Sequence, residues 1–477
     1  MTQEARRIAV VGGGISGLAA AHRLIEVAAN RGLPIQVALM EASSRAGGVI
    51  STIRRDGFLL EEGPDSIITD KPWGRRLAER IDIAGRLVGT QERFRKSYVV
   101  RRGRLEPTPD GFYLLAPTRF LPLVLTRIFS PLGKARMALD LVLPRGAPQG
   151  DESVAAFVTR RLGREALERM AQPMIGGIYG APPERLSLRA TFPRFLQMEQ
   201  DHRSVILAML IAGRRRKAME LSAAAASGPR YGLFVSFDSG LAILPETLVS
   251  RLPPGCLRLR APVSTLGPRP EGGWLVATDR PEPFDAVILA LPAPEAARLT
   301  RPFAADLAGR LDAIPYASAA TVSMAFREEQ IAHPLDGAGF VVPDIEGLSI
   351  LGCTFGHRKY PGRAPAGSAL VRAFWGDPAA SLTDRQVQDS TLDDLRRLLG
   401  IRGAPMLSHL ARWPRSMPQY PVGHLDLVDR IDTMARALHG FALAGNAYRG
   451  VGIPDCIHAG ETAAERIIEQ LFPPRVA

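Results

Sequence analysis

Residues 10–24 read VVGGGISGLAAAHRL, with Gly12, Gly14 and Gly17 in the spacing GxGxxG. The glycines stand where an apolar run, Ile8 to Val11, meets an alanine- and leucine-rich stretch, Ile15 to Ala29. The first suits a buried parallel strand and the second a helix. At such a join Gly12 permits the tight turn, Gly14 lets the backbone approach a pyrophosphate, and Gly17 lets helix and strand pack closely. The helix amides then face the anion, so Gly12, Gly13, Gly14, Ile15, Ser16 and Gly17 are the expected contacts. Ser16 lies in GISG and not in G-x-S-x-G, so a hydrolase nucleophile elbow does not fit.

After the turn NRGLP, Ile35 to Met40 reads as the second parallel strand and ends at Glu41, the distance at which an acid takes ribose hydroxyls. An acid there favours a ribose without a 2′-phosphate, as in FAD or NAD.

The totals fit a soluble globular chain. Its 477 residues exceed one ordinary core, 46% are hydrophobic, and the mean hydropathy of +0.01 excludes both a mainly disordered chain and a polytopic membrane protein. Met1 to Arg7 is short and polar, which predicts no secretory signal and a cytoplasmic location. Cys256, Cys353 and Cys456 are widely separated without CxxC, and the eight histidines show no HExxH, so neither disulfides nor a metal site is expected. The net charge of +12 is mostly arginine, with one dense run, Arg214 to Lys217, read as a solvated linker. Aromatics are not interleaved with it, which argues against a nucleic-acid partner.

From Phe112 to Leu143 the chain is strongly apolar, yet Arg119, Arg127, Lys134 and Arg136 interrupt it before the roughly 20 apolar residues a span requires. Spaced cations on apolar helices suit either insertion into one leaflet or an ordinary helical subdomain with snorkelling arginines.

Beyond Glu41 the sequence EASSRAGGVISTIRRDGFLLEEGPDSI resembles the superfamily of flavin-containing amine oxidases and protoporphyrinogen oxidases. There an E-x-x-x-R-x-G-G loop follows the second strand and helps bind the FAD diphosphate, which implies contacts from Glu41, Ala42, Arg45, Gly48 and Val49. EEGPDS resembles the loop beside the isoalloxazine, implying Gly63, Pro64, Asp65 and Ser66. Phe234 to Val249, PVSTL and FDAVILALPAP are similar to the family's second contribution to the FAD domain, with Val263 where the adenine is contacted. GNAYRGVGIPDCI, Gly445 to Ile457, resembles the loop and helix start that cover the flavin pyrimidine. A helix N-terminus there favours the reduced, anionic flavin.

Three stretches resemble the porphyrinogen branch in particular. They are GGIYGAPPERLSLRATFP from Gly176, RWPRSMPQYPVGHL from Arg412, and the loop from Gly445. The resemblance places Trp413, Val451, Gly452 and Ile453 at the FAD, and Gly177, Thr354 and Phe374 at the substrate pocket. Arg95 in RKSYVV is the candidate partner of a propionate carboxylate. One departure is Gly180-Ala181-Pro182 where the branch carries A-G-D.

The resemblance implies an α/β chain with a Rossmann-like FAD-binding domain assembled from residues 1–90, 230–298 and 411–477. A mostly helical, membrane-binding insertion covers 91–215, and a mixed-sheet substrate domain covers 299–410. It further implies oxidation of protoporphyrinogen IX to protoporphyrin IX in three two-electron cycles, with oxygen as acceptor and hydrogen peroxide released. Coproporphyrinogen III is the alternative substrate, and an amine oxidase or a flavin-bearing porphyrin carrier are further readings. No catalytic acid or base is assigned, since conjugation of the macrocycle supplies much of the driving force. The expected partners are the tetrapyrrole, the cytoplasmic face of a membrane and other porphyrin-pathway enzymes, with the chain a monomer or homodimer.

Overall fold

The first strand, Arg6–Val11, enters the helix Ile15–Arg31 through the glycine turn, and the chain returns along Ile35–Met40. These observations come from a computed structural model that describes residues 4–109, 112–113, 116–117, 120–146, 150–222 and 233–473. Five parallel strands form the nucleotide-side sheet, in the order Leu257–Arg258, Ile35–Met40, Arg6–Val11, Ala286–Leu289 and Phe441–Leu443. Three distant stretches of chain therefore build one sheet, as the resemblance implies. Its strands are apolar almost throughout because both faces are covered, the usual condition of a parallel sheet.

The first helix packs on the C-terminal helix, Ile453–Leu471, at backbone contact. A Cβ at Gly460 would stand 2.1 Å from the Ser16 carbonyl oxygen, and one at Gly17 would stand 1.9 Å from that of Gly12. Gly460 thus lets the C-terminal helix pack on the start of the first helix, and Gly17 lets the first helix pack on the turn before it.

A second, mixed sheet has seven strands in the order Leu407–Pro418, Tyr316–Arg327, Ser368–Trp375, Gly352–Phe355, Gly339–Val341, Ser97–Arg101 and Arg104–Pro107. It draws Ser97–Arg101 and Arg104–Pro107 from the 91–215 segment, and Leu407–Pro418 runs across the 410/411 boundary. Leu407–Pro418 and Arg104–Pro107 are its two edges and Ser97–Arg101 lies next to the second, and ladder hydrogen bonding takes no account of which segment supplies a strand. Alternation divides each strand between two faces. Val322, Met324, Val371, Ala373 and Trp375 pack with Val387 and Leu395 of the helix Asp384–Leu399. Thr321, Ser323, Arg372 and Phe374 face the other way.

The insertion is largely helical and has its own core around Phe157, Met170, Phe195 and Met209. A buried ion pair, Arg161 with Asp140, ties its helices together, and the Arg161 guanidinium also donates to the carbonyls of Pro144 and Arg203. Arg214 to Lys217 do not form a linker. The helix Val205–Ser222 runs through them, since leucine, alanine, arginine and lysine all favour helix. The stretch expected to meet the membrane forms short helices, Phe120–Leu125 and Pro131–Ala138; Arg119 lies outside the described residues. Two of its cations have structural partners: Lys134 donates to the Val124 carbonyl, and Arg136 caps the helix Val154–Leu162 through the carbonyls of Thr159, Arg160 and Arg161. No helix among the described residues is long and apolar enough to cross a membrane.

His357, in the short helix Gly356–Lys359, accepts the Leu370 amide at Nδ1 at 3.1 Å and so ties that helix to the sheet edge. Burial pushes its imidazole down to about 4 from an ordinary 6.5. A pKa lowered in the folded state contributes stability that is complete above about pH 6.5 and is lost as the pH falls toward 4. Burial also lowers His22, His333 and His424, so acid destabilisation is shared. His357→Asn keeps an acceptor for the Leu370 amide and removes the titration. In urea unfolding the difference between wild type and variant should move by about 2 kcal/mol in the variant's favour between pH 7 and pH 4.5. A difference independent of pH would show that the imidazole titrates alike in the folded and unfolded states.

Candidate functional site

The glycine turn is built for close approach. Gly12 has φ +105°, and a Cβ there would lie 2.4 Å from the Ala290 carbonyl oxygen. A Cβ at Gly14, by contrast, would meet nothing within 4 Å. Gly14 is therefore small for the sake of something other than the protein's own packing. It caps the first helix with extended backbone and no side-chain hydrogen bond, which leaves the first-turn amides for an anion. Gly452 starts the C-terminal helix in the same way, without a side-chain cap, and Pro454 is that helix's second residue.

Glu41 ends the second strand where expected. Its Oε2 accepts from the Gly13 amide at 2.6 Å, and its Oε1 from the amide and hydroxyl of Ser43 at 2.8 and 2.7 Å. Oε2 keeps a lone pair for a ribose hydroxyl, whereas Oε1 already accepts twice. The segment carrying Val263 runs beside it, with the Ala261 amide on the Glu41 carbonyl, and Val263 is itself buried. Arg45 is exposed and braces its own loop, donating to the carbonyls of Gly48 and Ile50, while the Gly47 amide bonds the Gly13 carbonyl. Ala42, Gly48 and Val49 lie exposed on that loop. A Cβ at Gly63 would fall 1.8 Å from the Val49 carbonyl oxygen, so the two loops are in contact.

The loop Glu62–Ser66 lies against the open face of the seven-stranded sheet. The Glu62 carbonyl accepts from Thr321 Oγ1 at 3.0 Å, Trp413 Nε1 at 2.8 Å and the Arg372 guanidinium at 3.4 Å, and the Gly63 carbonyl also accepts from Arg372. Burial works against ionisation of the Glu62 carboxyl. Hydrogen bonds from Ser51 and His409, the latter at 2.8 Å, outweigh it and hold the group below the usual range. Burial likewise opposes ionisation of Asp65, but Lys359 and Arg372 prevail and keep that carboxyl well below its ordinary value. Ser66 is hydrogen-bonded to Asp65 and accepts from the buried Tyr360 hydroxyl.

Thr354 stands directly opposite Arg372 on the neighbouring strand, and Phe374 lies two residues further along, 4.9 Å from the Arg372 guanidinium. Both are partly exposed on the face that holds Glu62–Ser66. The structure thus brings Trp413, Thr354 and Phe374 together with the loop. Gly177 is exposed on the helix Gln172–Tyr179, whose first residue is hydrogen-bonded to Asp344 and whose last packs against Tyr420. Gly180, in the left-handed conformation, ends that helix where the branch motif has an acid two residues on. Arg95 is exposed and paired with Glu92 at 2.9 Å, while Lys96 pairs with Asp336.

Tyr420 holds the C-terminal loop from below. Its hydroxyl donates to the Asn446 carbonyl and accepts from the Gly450 amide, and its ring stacks on His424 at 4.0 Å. Val451 packs on the helical insertion, Ile453 is buried, and Asp455 is anchored by Lys71 at 2.6 Å. Sequence reading missed Arg372, Lys359 and Tyr420. The signal for Arg372 was present, because SALVRAFW is a strand with a single charged residue in its interior, and such a charge needs buried partners.

The residues fit a dinucleotide, as the open cradle at Gly14 and the two uncapped helix starts require. A profile described as flavin containing amine oxidoreductase matches residues 15–468. A coproporphyrinogen III oxidase from Propionibacterium freudenreichii subsp. freudenreichii is 37% identical, over 97% of this chain and 90% of its own length. Protoporphyrinogen oxidase 2 from Arabidopsis thaliana is 29% identical, over 98% of this chain and 94% of its own length. Among solved structures, a protein from Exiguobacterium sp. 255-15 assigned as a protoporphyrinogen oxidase superposes with a TM-score of 0.84 at 31% identity, covering 98% of this chain and 99% of that one. The cofactor is FAD and the activity that of an oxidoreductase. With its discontinuous parallel sheet, uncapped helix starts and full-length match, this chain belongs to the family of flavin-containing amine oxidoreductases.

Proposed function

We propose that this protein oxidises a porphyrinogen to the corresponding porphyrin in porphyrin biosynthesis. The observation that carries the reading is a shared surface. The loop Glu62–Ser66 is pinned by Thr321, Arg372 and Trp413 to the sheet face that also bears Thr354 and Phe374. A flat substrate lying on that face is held next to the cofactor loop. When bound, FAD supplies the hydride acceptor, in three two-electron cycles with oxygen as the final acceptor and hydrogen peroxide as product.

The chain's own residues bind, orient and exclude water. Amides of the turn Gly12–Gly17 and of the helix start at Gly452 meet the cofactor's anionic parts, and Glu41 takes the ribose. Phe374 and the backbone at Gly177 offer apolar, low-relief contacts to a macrocycle. Holding a methine-bridge carbon about 3–3.5 Å from its acceptor is the main task, since orientation alone accounts for several kcal/mol of a barrier. Arg95 is suited to a propionate, because an exposed pair such as Arg95 with Glu92 holds at most about 1 kcal/mol and exchanges readily.

Of the two porphyrinogens, the higher identity of the bacterial relative supports coproporphyrinogen III ahead of protoporphyrinogen IX, the substrate read from the sequence. Peripheral membrane association is supported by a run of exposed apolar side chains on the insertion: Val124 at 59%, Leu125 at 71%, Leu132 at 83% and Val142 at 68%.

Three outcomes test these readings. Mixed anaerobically with either porphyrinogen, the yellow protein should bleach, with porphyrin fluorescence rising once air is admitted. Coproporphyrinogen III should give the larger kcat/KM, and rapid bleaching by an amine with none by either porphyrinogen would overturn the assignment. Gly14→Ala adds a methyl that meets nothing in the protein, so the thermal midpoint of the FAD-free form should be unchanged while FAD affinity falls tenfold or more; unchanged affinity would move the pyrophosphate elsewhere. Finally, Leu125→Asp with Leu132→Asp should abolish co-sedimentation with vesicles containing anionic lipid and leave turnover in detergent intact. Equal sedimentation of the variant and the parent would place the contact elsewhere.

A further inference from the structure

The strand Ser368–Trp375 buries a full guanidinium. Arg372 is 5% exposed on the face toward the cofactor loop. Such burial is costly unless charge and donors are both matched. Here they are matched only in part. The guanidinium donates to the carbonyls of Gly63 and Glu62, and its nearest carboxylate oxygen, Asp65 Oδ2, is 4.0 Å away. Its Nε is buried with no hydrogen-bond partner. Asp65 already has a closer cation, Lys359, whose Nζ lies 2.8 and 2.9 Å from its two oxygens. Two cations thus share one carboxylate, and the neighbouring Arg363 and Glu61, 4.0 Å apart, add no net charge. Within this group of five charges one positive charge is left over directly behind residues 63–66, while the Glu62 carboxylate of the same loop is held separately by Ser51 and His409.

We propose that Arg372 is a positioning residue that fixes this uncompensated positive charge against the Gly63–Ser66 loop and thereby raises the reduction potential of the flavin bound beside it. The proposal rests on the placement of the flavin ring along that loop. Accepting a hydride, two electrons with one proton, adds one negative charge to a neutral flavin. A preorganised cation in a poorly solvated site stabilises that charge without reorganising when it forms. Arginine suits the task better than lysine because its planar fork holds two carbonyls of the loop at once, so the charge cannot swing toward water. Phe374, 4.9 Å from the guanidinium, covers it on the substrate side. Asp65 acts in the opposite sense, and Lys359 limits its effect.

Charge and scaffolding make different forecasts. Arg372→Gln keeps a donor for the Gly63 carbonyl and removes the charge, Arg372→Lys keeps the charge and loses the fork, and Asp65→Asn removes the negative charge. The readout is the flavin midpoint potential of each FAD-loaded protein, from anaerobic reduction against a reference dye. Arg372→Gln should shift the reduction equilibrium toward oxidised flavin at least tenfold, about 30 mV for a two-electron couple. Asp65→Asn should shift it the other way, and Arg372→Lys should fall between Arg372→Gln and wild type. A merely structural part for both residues would loosen the loop in both variants and move the potential in one direction or not at all; either result overturns the proposal. The measurement uses no porphyrinogen, so a wrong substrate assignment leaves it intact. Failure of the wild-type chain to take up flavin would instead refute the cofactor placement.

Discussion

The carbonyl of Glu62 accepts hydrogen bonds from Thr321, Arg372 and Trp413, three side chains on three strands of one sheet. That carbonyl belongs to the half of the molecule that carries the glycine turn, and the donors belong to the seven-stranded sheet. A backbone acceptor so enclosed must be satisfied, and an unpaired buried carbonyl costs about 1–3 kcal/mol, so the two halves are fixed in register. Much else follows from this join. The loop Gly63–Ser66 cannot move relative to Thr354 and Phe374, and whatever lies along the loop is held at a set distance from whatever lies on the sheet.

The electrostatics of the join differ from those of the nucleotide turn. At the turn, partial charges of helix amides face an anion, and Glu41 is the nearest full charge, already held by Gly13 and Ser43. At the join, full charges are buried together: Lys359, Arg372 and Asp65, with Glu61 and Arg363 beside them. Burial raises the Glu61 carboxyl above its ordinary range and lowers both guanidinium groups, while Asp65 goes the other way because two cations outweigh its burial. Such a cluster is a poor way to gain stability, since apolar residues of equal volume do as well. With the flavin placed along Gly63–Ser66 as proposed, the field of the cluster is its better explanation.

The insertion is anchored at both ends of the site. Gln172 reaches the sheet through Asp344, and Tyr179 packs on Tyr420, which in turn holds the loop before the C-terminal helix. The same insertion exposes apolar side chains from Val124 to Val142. The exposed apolar side chains and the helix Gln172–Tyr179 thus belong to one packed helical body.

The nucleotide half was legible in the sequence because its signals are local. A strand, a glycine turn, a helix and a spaced acid occupy 36 consecutive positions, Arg6 to Glu41. The resemblance named Trp413, Thr354 and Phe374, and the structure brings all three to one sheet face, yet nothing in their neighbouring residues could say so. The partners of Lys359 and Arg372 were equally hidden, since Lys359 meets Asp65 across 294 positions and Arg372 meets Gly63 across 309, although the lone charge in SALVRAFW signalled burial. The linker expected at Arg214 failed in the opposite way, since charge density was read as solvent exposure although the residues favour helix. The order of residues by itself determined the dinucleotide turn, because hydrophobic period and backbone sterics act over short distances; the assembly of its sheet from separate stretches came from the family resemblance. Only the tertiary structure decided which buried charges share a carboxylate and which carbonyls three strands hold in common, because pairing across hundreds of residues is set by how sheets and loops pack.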